Sequence, residues 1–359
     1  MRIISKIRQK SVLLLLAGFL SGSITAFAQE ETAKAGEAEK TSHTEGVFNA
    51  GEFIIDHVTD KYEWHLWGPH ENPVSIPLPV ILYSGSKGLS VFLSSKFEHG
   101  HAAYDGYKME EGAIVSEDGS EFYNFSITKA VTGILLTSII VLWLFISIAK
   151  SYSRRIGLAP KGAQSLFEPL ILFVRDDIAK AAIGEKHFMR YMPLLLTLFF
   201  FIWVSNFIGL IPTFPGVMGN ISVAFTLASI VLVLTLFIGK KHYWEHILWM
   251  PGVPAWVKIF LLTPIEIIGV IQRPAVLMIR IFANIAAGHI VILSFVCLIF
   301  VFGSTSAAGG WGFSPISMLF ALFMNAMELL VAFLQAFVFT LLTAMYIGAC
   351  VEEPHHAEH

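Results

Sequence analysis

One arginine opens a long apolar stretch of this sequence that carries no other charge. Arg280 is followed by the segment from Ile281 to Met327, in which no Asp, Glu, Lys or Arg occurs. A charged side chain at the centre of a bilayer costs about 2.5–3.5 kcal/mol, so such residues face protein or water. Arginine stays protonated at every physiological pH. Arg280 is therefore either an interfacial residue at the start of a membrane span or a permanent cation in an ion path.

The composition is that of a polytopic membrane protein rather than a soluble domain. Hydrophobic residues make up 55% of the chain, charged residues make up 14%, and the mean hydropathy is +0.66. Cys297 and Cys350 stand in apolar surroundings and fit neither a disulfide framework nor a zinc spacing, so we interpret them as packing residues. We expect no metal site, no cofactor and no nucleic-acid partner.

The first 28 residues predict a secretory signal peptide. Basic residues up to Lys10 precede a short apolar core at positions 12–19, and Ala26-Phe27-Ala28 is an A-x-A cleavage site. We expect cleavage before Gln29. The alternative is an uncleaved anchor helix, for which the apolar core is short.

Residues 29–128 are predicted to form an exported, acidic N-terminal segment. They hold 17 acidic residues against 6 lysines and no arginine. Positions 29–50 have the composition of a disordered linker, whereas the runs at 74–83, 89–93 and 112–125 predict a small β-rich fold. Positions 51–128 also carry five histidines, which are either solvated loop residues or part of a metal site that no motif supports: His57, His65, His70, His99 and His101.

Residues 129–353 predict an all-α polytopic membrane domain, followed by a cytoplasmic tail at 354–359. Uncharged segments at 130–149, 191–211 and 221–238 are long enough to cross about 30 Å of hydrocarbon. If residues 29–128 are exported, the ends of these segments that lie in the cytoplasm are the ones flanked by lysines and arginines. Residues 165–184 are too short and too charged to span, and they predict an amphipathic helix on the cytoplasmic surface or an ordinary loop helix.

Two further apolar segments are too long to cross the bilayer as single straight helices perpendicular to its plane. The first runs from about 259 to 302 and is either two spans with a hidden turn or one tilted, kinked helix. Residues 303–315, rich in glycine and serine, predict a turn, and the second long segment is 316–351. An exported start and a cytoplasmic tail require an odd number of crossings. We therefore predict five membrane-crossing helices, of which the last two are long and tilted.

Polar residues recur on these two long segments at spacings that keep them on one helical face. Hydrogen bonding between helices explains a single amide such as Asn284 or Gln335. It does not explain Arg280, Glu328, Glu266 and His289 together, which favours a hydrated ion path. The polar positions are Glu266, Arg273, Arg280, Asn284, His289, Asn325, Glu328 and Gln335.

Two other classes of membrane protein were weighed against an ion path. In a secondary transporter, Arg280 would bind an anionic substrate, but such proteins often show inverted repeats, and the halves of this chain show none. An intramembrane protease is less well supported, because the sequence has no paired-Asp or H-E-x-x-H pattern.

Three motifs, in order, resemble subunit a of the rotary F-type ATP synthase. They are Phe-Ile-Gly-Leu-Ile-Pro at 207–212, Leu-Met-Ile-Arg-Ile-Phe-Ala-Asn-Ile-Ala-Ala-Gly-His at 277–289, and Leu-Gln-Ala-Phe-Val-Phe-Thr-Leu-Leu-Thr-Ala-Met-Tyr at 334–346. The resemblance covers about residues 130–353. The exported segment is longer than is usual for the family, so no role is carried across to it.

The resemblance implies a role for each matching residue. Arg280 corresponds to the essential arginine that faces the ring of c subunits, and Asn284 and Gln335 correspond to polar residues near it. In the proton path, Glu266 matches an acidic position earlier on the same helix. His289 and Glu328 match a polar pair on facing helices, with acid and histidine exchanged relative to many bacterial relatives. Asn206 and Asn220 are weaker candidates near the outer entry, where capping of helix ends explains them equally well.

The resemblance also implies what the chain does and where it lies. It implies an ion-translocating stator subunit that hydrolyses no ATP itself and provides two proton half-channels against the c-ring. The implied partners are the c-subunit ring, the subunit b peripheral stalk, the other synthase subunits and the lipid bilayer. The implied location is the bacterial cell inner membrane, with a periplasmic N-terminus and a cytoplasmic C-terminus. The coupling ion, H⁺ or Na⁺, stays open.

Overall fold

The computed structural model describes residues 50–51, 54, 59–67, 74–100, 102–110, 112–154, 160–211, 214–239, 243, 255–257, 260 and 262–351. The predicted signal peptide and cytoplasmic tail lie outside these residues. The chain divides into two compact units. The first comprises Met1–Leu135, Ile208–Thr226 and Ile285–Glu328, and the second comprises Leu136–Phe207, Leu227–Asn284 and Leu329–His359.

The described residues of the N-terminal segment form seven short antiparallel strands in three small sheets. Strand β1 pairs with β2, β3 lies between β4 and β7, and β5 pairs with β6. The strands are β1 (Glu63–Trp67), β2 (Val74–Pro77), β3 (Pro79–Ser84), β4 (Gly88–Leu93), β5 (Tyr107–Glu110), β6 (Ala113–Ser116) and β7 (Phe122–Asn124). This confirms that the segment is β-rich, although β1 and β5 were not predicted.

The three-stranded sheet has one buried and one exposed face, as the period of two along a strand requires. Val80 and Leu82 of β3 and Phe92 of β4 point into a small core that they share with Phe97, Tyr107 and Ile114. The opposite face is apolar but exposed, and it carries Tyr83, Leu89, Val91, Leu93 and Tyr123. Within the described residues, no three His, Cys, Asp or Glu side chains lie together as a metal site would require.

Among the described residues that follow there are six main helices, and five of them are long and apolar enough to cross a membrane. They are α1 (Lys129–Arg154), α2 (Ala163–Phe173), α3 (Phe188–Gly209), α4 (Ile221–Ile238), α5 (Thr263–Thr305) and α6 (Ala307–Val351). All of them except α2 are candidate spans, so the prediction of a polytopic helical protein with five long apolar helices is confirmed. Shorter helical turns occur at Val217–Gly219 and Ala255–Val257.

The predicted amphipathic helix at 165–184 begins as α2 and continues through a π-helical turn at Val174–Lys180 into the short turn Ala181–Ile183. Its last part is held within the second unit by Gly348 of α6. A β-carbon at Gly348 would collide with the carbonyl oxygen of Ala182, so only glycine permits this approach. The position of this segment on a membrane surface stays a prediction.

The two long segments are two single helices. Helix α5 has 43 residues and α6 has 45, so each is about 65 Å long, roughly twice the hydrocarbon thickness. A hidden turn in the first segment is thereby excluded, and a bilayer can contain helices of this length only if they tilt.

The turn predicted for residues 303–315 was wrong. Helix α5 continues to Thr305 and α6 begins at Ala307, so the break is confined to Ser306. The side-chain oxygen of Ser306 accepts the amide of Gly309 at 3.0 Å, as a helix cap does. The glycines serve close packing rather than a loop, because a β-carbon at Gly310 would lie 2.9 Å from the Cα of Gly303.

Candidate functional site

The first unit brings together the histidine and the carboxyl predicted as a pair. His289 lies on α5 and Glu328 on α6, with 3.7 Å between Nε2 and Oε1. Only 5% of the Glu328 side chain is exposed, and neither carboxyl oxygen has a hydrogen-bond partner among the described residues. A buried carboxyl without a protein partner is stabilised by a bound proton or by water. The pair is therefore suited to exchanging protons.

Gly288 makes the space that the Glu328 side chain occupies. A β-carbon at Gly288 would lie 2.8 Å from Oε1 and 3.0 Å from Cδ of Glu328. A real β-carbon essentially never approaches another atom this closely, so a larger residue here would force the Glu328 side chain to shift. The sequence placed Gly288 on the polar face but did not indicate this packing role.

A small cavity adjoins His289 on another side. It has a volume of about 40 Å³, and its lining includes Asp60, Lys129, Gly216, Asn220 and His289. This is room for two or three water molecules at roughly 10–15 Å³ each. Gly216 keeps the cavity open beside the imidazole, since a β-carbon there would lie 3.5 Å from Nε2 of His289.

Asp60 is the carboxylate on the opposite part of this lining. Its Oδ1 accepts the backbone amide of Ala130 at 2.9 Å, and its Oδ2 accepts the side-chain amide of Asn220 at 3.3 Å. Burial raises the pKa of Asp60, while the bonds from Ala130 and Thr128 and the charge of Lys129 oppose this shift. Sequence reasoning missed Asp60, because no motif separates it from the other acidic residues of its segment.

Asn220 has two functions in the structure. Its Oδ1 accepts the amide of Ser222 at 2.8 Å, which caps the start of α4. This bond fixes the orientation of the amide and leaves the NH₂ group for Asp60. Asn206 is buried and neither its Oδ1 nor its Nδ2 has a hydrogen-bond partner among the described residues.

The second unit contains Arg280, Asn284, Gln335 and Glu266. Arg280 and Asn284 are exposed on α5, and Ala283 between them is exposed as well. No carboxylate of the described residues pairs with the Arg280 guanidinium. Gln335 of α6 is buried, and its Oε1 has no hydrogen-bond partner within that part of the chain. Glu266 lies in the first turn of α5, about 21 Å along the helix from Arg280 at 1.5 Å per residue.

The predicted residues therefore fall into two groups. His289 and Glu328 meet directly in the first unit. Arg280, Asn284 and Glu266 share helix α5 within the second unit, and in the described part of the chain no hydrogen bond or ion pair joins any two of them. The exposed side of α5 around Arg280 combines one cation with a small residue, Ala283. Such a surface lets another helix approach closely.

This chain is similar to known proteins over most of its length. Residues 131–348 match the family model described as ATP synthase A chain, and residues 53–132 match a domain of unknown function (DUF8433). ATP synthase subunit a of Chlorobium phaeobacteroides (strain DSM 266) is 34% identical over 354 residues, covering 96% of this chain and 88% of that relative. ATP synthase subunit a of Chloroherpeton thalassium is 38% identical over 242 residues, covering 66% of this chain and 70% of that relative.

The family match covers more than half of the chain, and the five apolar helices make it a multi-pass membrane protein. The motifs that suggested this family lie within the matched residues. The chain belongs to the ATP synthase A chain family, that is, to subunit a of the F-type ATP synthase.

Proposed function

We propose that this chain is the ion-translocating stator subunit that presents two proton half-channels to a rotating ring of c subunits. Membership of the subunit a family supports a proton-translocating stator role in the Fo sector. The observation that carries the finer proposal is Arg280, an exposed guanidinium on a membrane-crossing helix that no carboxylate of the described residues neutralises.

Because no carboxylate of the described residues neutralises Arg280, an anion on a neighbouring subunit would stabilise this cation. An unpaired charge at bilayer depth is costly, and an approaching carboxylate removes that cost. Conversely, the opposite charge of Arg280 favours the ionised form of any carboxyl that comes close to it. A carboxyl on a ring subunit, neutral while it faces lipid, thus loses its proton beside Arg280. The exposed Ala283 leaves room for the helix that carries this carboxyl.

Arg280 separates the two half-channels, since a permanent cation repels protons and blocks a direct leak. His289 and Glu328 belong to the outer half-channel, Asn284 and Gln335 order water or the arginine, and Glu266 lies on the proton path. A membrane potential contributes about 2.3 kcal/mol per charge per 100 mV to each transfer. This energy biases rotation and thereby drives ATP synthesis in the attached catalytic subunits.

The assembly and topology follow from the same proposal. The direct partners are the c-ring, the peripheral stalk subunit b and the surrounding lipid. Residues 1–28 are removed as a signal peptide, residues 29–128 lie outside the bacterial inner membrane, and residues 354–359 lie in the cytoplasm. The short helical segment 165–184 lies on the cytoplasmic surface.

Copurification and cross-linking test this proposal. The affinity-tagged chain should copurify with a ring of small two-helix subunits. A cysteine at Ala283, in a background without Cys297 and Cys350, should form a disulfide with a cysteine beside the ring carboxylate. A cysteine at Leu142, exposed on α1, serves as the control and should not cross-link. Purification without a ring, or equal cross-linking at both positions, would contradict the proposal.

A further inference from the structure

Asp60 joins the N-terminal segment to two parts of the membrane domain through its two oxygens. Oδ1 holds the amide of Ala130 in the first turn of α1 at 2.9 Å, which is a strong helix-capping bond. Oδ2 accepts the longer bond of 3.3 Å from the side-chain amide of Asn220, and Thr128 and the backbone of Lys61 also donate hydrogen bonds to this carboxylate. The capping bond from Ala130 therefore uses Oδ1, while the same carboxylate also lines the cavity.

The cavity connects this carboxylate to the predicted proton pair. Asp60 and His289 both line it, and its volume admits a short chain of water molecules. The carboxyl of Glu328 lies 3.7 Å from Nε2 of the same His289. Protons can thus pass from Asp60 through water to His289 and then to Glu328. All three residues lie within the first unit.

The charges around Asp60 are suited to a group that gains and loses a proton. Lys129 on α1 supplies a positive charge, Tyr62 of its own segment lies within reach of its charge, and His289 faces it across the cavity. The loop before α4 contributes the neutral Asn220. The segment that carries Asp60 holds 17 acidic residues against 6 lysines, and an acidic surface raises the local concentration of cations.

We propose that Asp60 is the outermost proton-exchanging group of the outer half-channel, and that the N-terminal segment thereby forms part of the proton path. The proposal rests on the function proposed above. Its reaction is a simple transfer. Asp60 takes a proton from outside water on Oδ2, passes it to cavity water, and that water protonates Nε2 of His289. Asp60 returns to the carboxylate form with Ala130 still bound at Oδ1.

The competing explanation is that Asp60 only caps α1. Asp60→Asn separates the two explanations, because asparagine is also a good cap but cannot exchange a proton. This substitution would, however, place a new NH₂ group opposite the NH₂ group of Asn220. The double variant Asp60→Asn/Asn220→Asp restores a donor opposite an acceptor, and it returns a carboxylate to the same cavity. Aspartate also caps helix starts, so α4 keeps its bond to Ser222.

The test uses the whole synthase reconstituted in liposomes, with the pH on the outer side of this subunit set independently. Proton-driven ATP synthesis should fall several-fold in Asp60→Asn at neutral outer pH, and the loss should shrink as that pH is lowered. The double variant should recover most of the rate. Asp118→Asn is the matched control, because Asp118 is an exposed carboxylate of the same segment, paired with Lys87, and it should behave as wild type.

Three outcomes would overturn the proposal. One is a normal rate in Asp60→Asn at every pH. Another is a loss that does not vary with pH and is not restored in the double variant, which would leave only the capping role. The third is an equal loss in Asp118→Asn. ATP synthesis by Arg280→Ala is measured in the same assay. If this variant stays active, the proposed function fails. If Arg280→Ala is inactive and Asp60→Asn is normal, only the role of Asp60 is removed.

Discussion

Gly288 of α5 lies so close to Glu328 of α6 that a single added methyl group on the glycine would sit 2.8 Å from the carboxyl oxygen Oε1. The carboxyl is thereby confined to one position, beside the imidazole of His289 at 3.7 Å. The absence of a side chain at one residue thus determines where a functional group of the facing helix lies.

Gly288→Ala should therefore impair proton transfer without preventing membrane insertion. The new methyl group must push Glu328 away from His289, and overpacking of this kind costs about 1–3 kcal/mol. ATP-driven proton pumping in inverted membrane vesicles should fall, at an unchanged amount of assembled complex. Gly269→Ala is the control on the same helix, because nothing lies within 4 Å of a β-carbon there. Equal pumping in the two variants would contradict the packing role of Gly288.

Arg280→Ala should abolish coupled ATP synthesis while the complex still assembles. The substitution removes the fixed charge that we propose separates the half-channels. Arg280→Lys should fail as well, because an ammonium group is more compact, more strongly hydrated and able to deprotonate when buried. Synthesis driven by an imposed proton gradient and the amount of assembled complex are measured together. Arg154→Ala, in the last turn of α1, should stay active; near-normal synthesis in Arg280→Ala would remove the assigned role.

Exchanging His289 and Glu328 should be tolerated better than losing either one. Each single change, His289→Glu or Glu328→His, places two like groups side by side. Two neighbouring carboxyls resist joint ionisation, and two neighbouring imidazoles resist joint protonation. The double variant restores an unlike pair, so we expect proton pumping to rank wild type first, the exchange second and the single variants last. Pumping is compared in inverted vesicles at matched expression. If the exchange instead shows the sum of the two single losses, the residues act independently.

The mature chain should begin at Gln29 and expose residues 29–128 outside the inner membrane. This prediction rests on the Ala26-Phe27-Ala28 site and on the distribution of lysine and arginine around the spans. N-terminal sequencing of the purified subunit checks the cleavage. Protease added from the outside of intact spheroplasts should digest this segment and spare the cytoplasmic residues. A retained Met1 would refute the cleavage, and protection of residues 29–128 from the protease would refute their location outside the membrane.

Substitutions near the break between α5 and α6 should distinguish the effect of close packing on thermal stability from the effect of helix propensity. Gly310→Ala places a methyl group against the backbone of Gly303 at 2.9 Å and should lower the thermal stability of the purified complex. Gly312→Ala, two residues further along the same helix, meets nothing within 4 Å. It should be neutral or stabilising by up to about 1 kcal/mol, because alanine favours helix more than glycine does. Equal melting temperatures would count against close packing of the two helix ends.

The sequence predicted the membrane helices and the His289–Glu328 pair. The length of an uncharged run shows whether it can cross the bilayer. The motifs that resemble the family implied that His289 and Glu328 lie on facing helices. The residues at 303–315 misled the prediction, since glycine and serine there let two helix ends pack closely instead of forming a loop. Asp60 could not be found, because its importance comes from Asn220 and His289, which are distant in the chain.

The hydrogen bonds of Asp60 also bear on how this chain could have been assembled in evolution. The two family matches meet at residues 131–132, immediately after the Ala130 amide that Asp60 holds. The boundary between the two inherited modules is therefore crossed by bonds to α1 and to Asn220. A transplanted N-terminal module would fit a foreign subunit a only if that recipient also supplied a donor at the Asn220 position. The module and its recipient are thus expected to have been inherited as a pair.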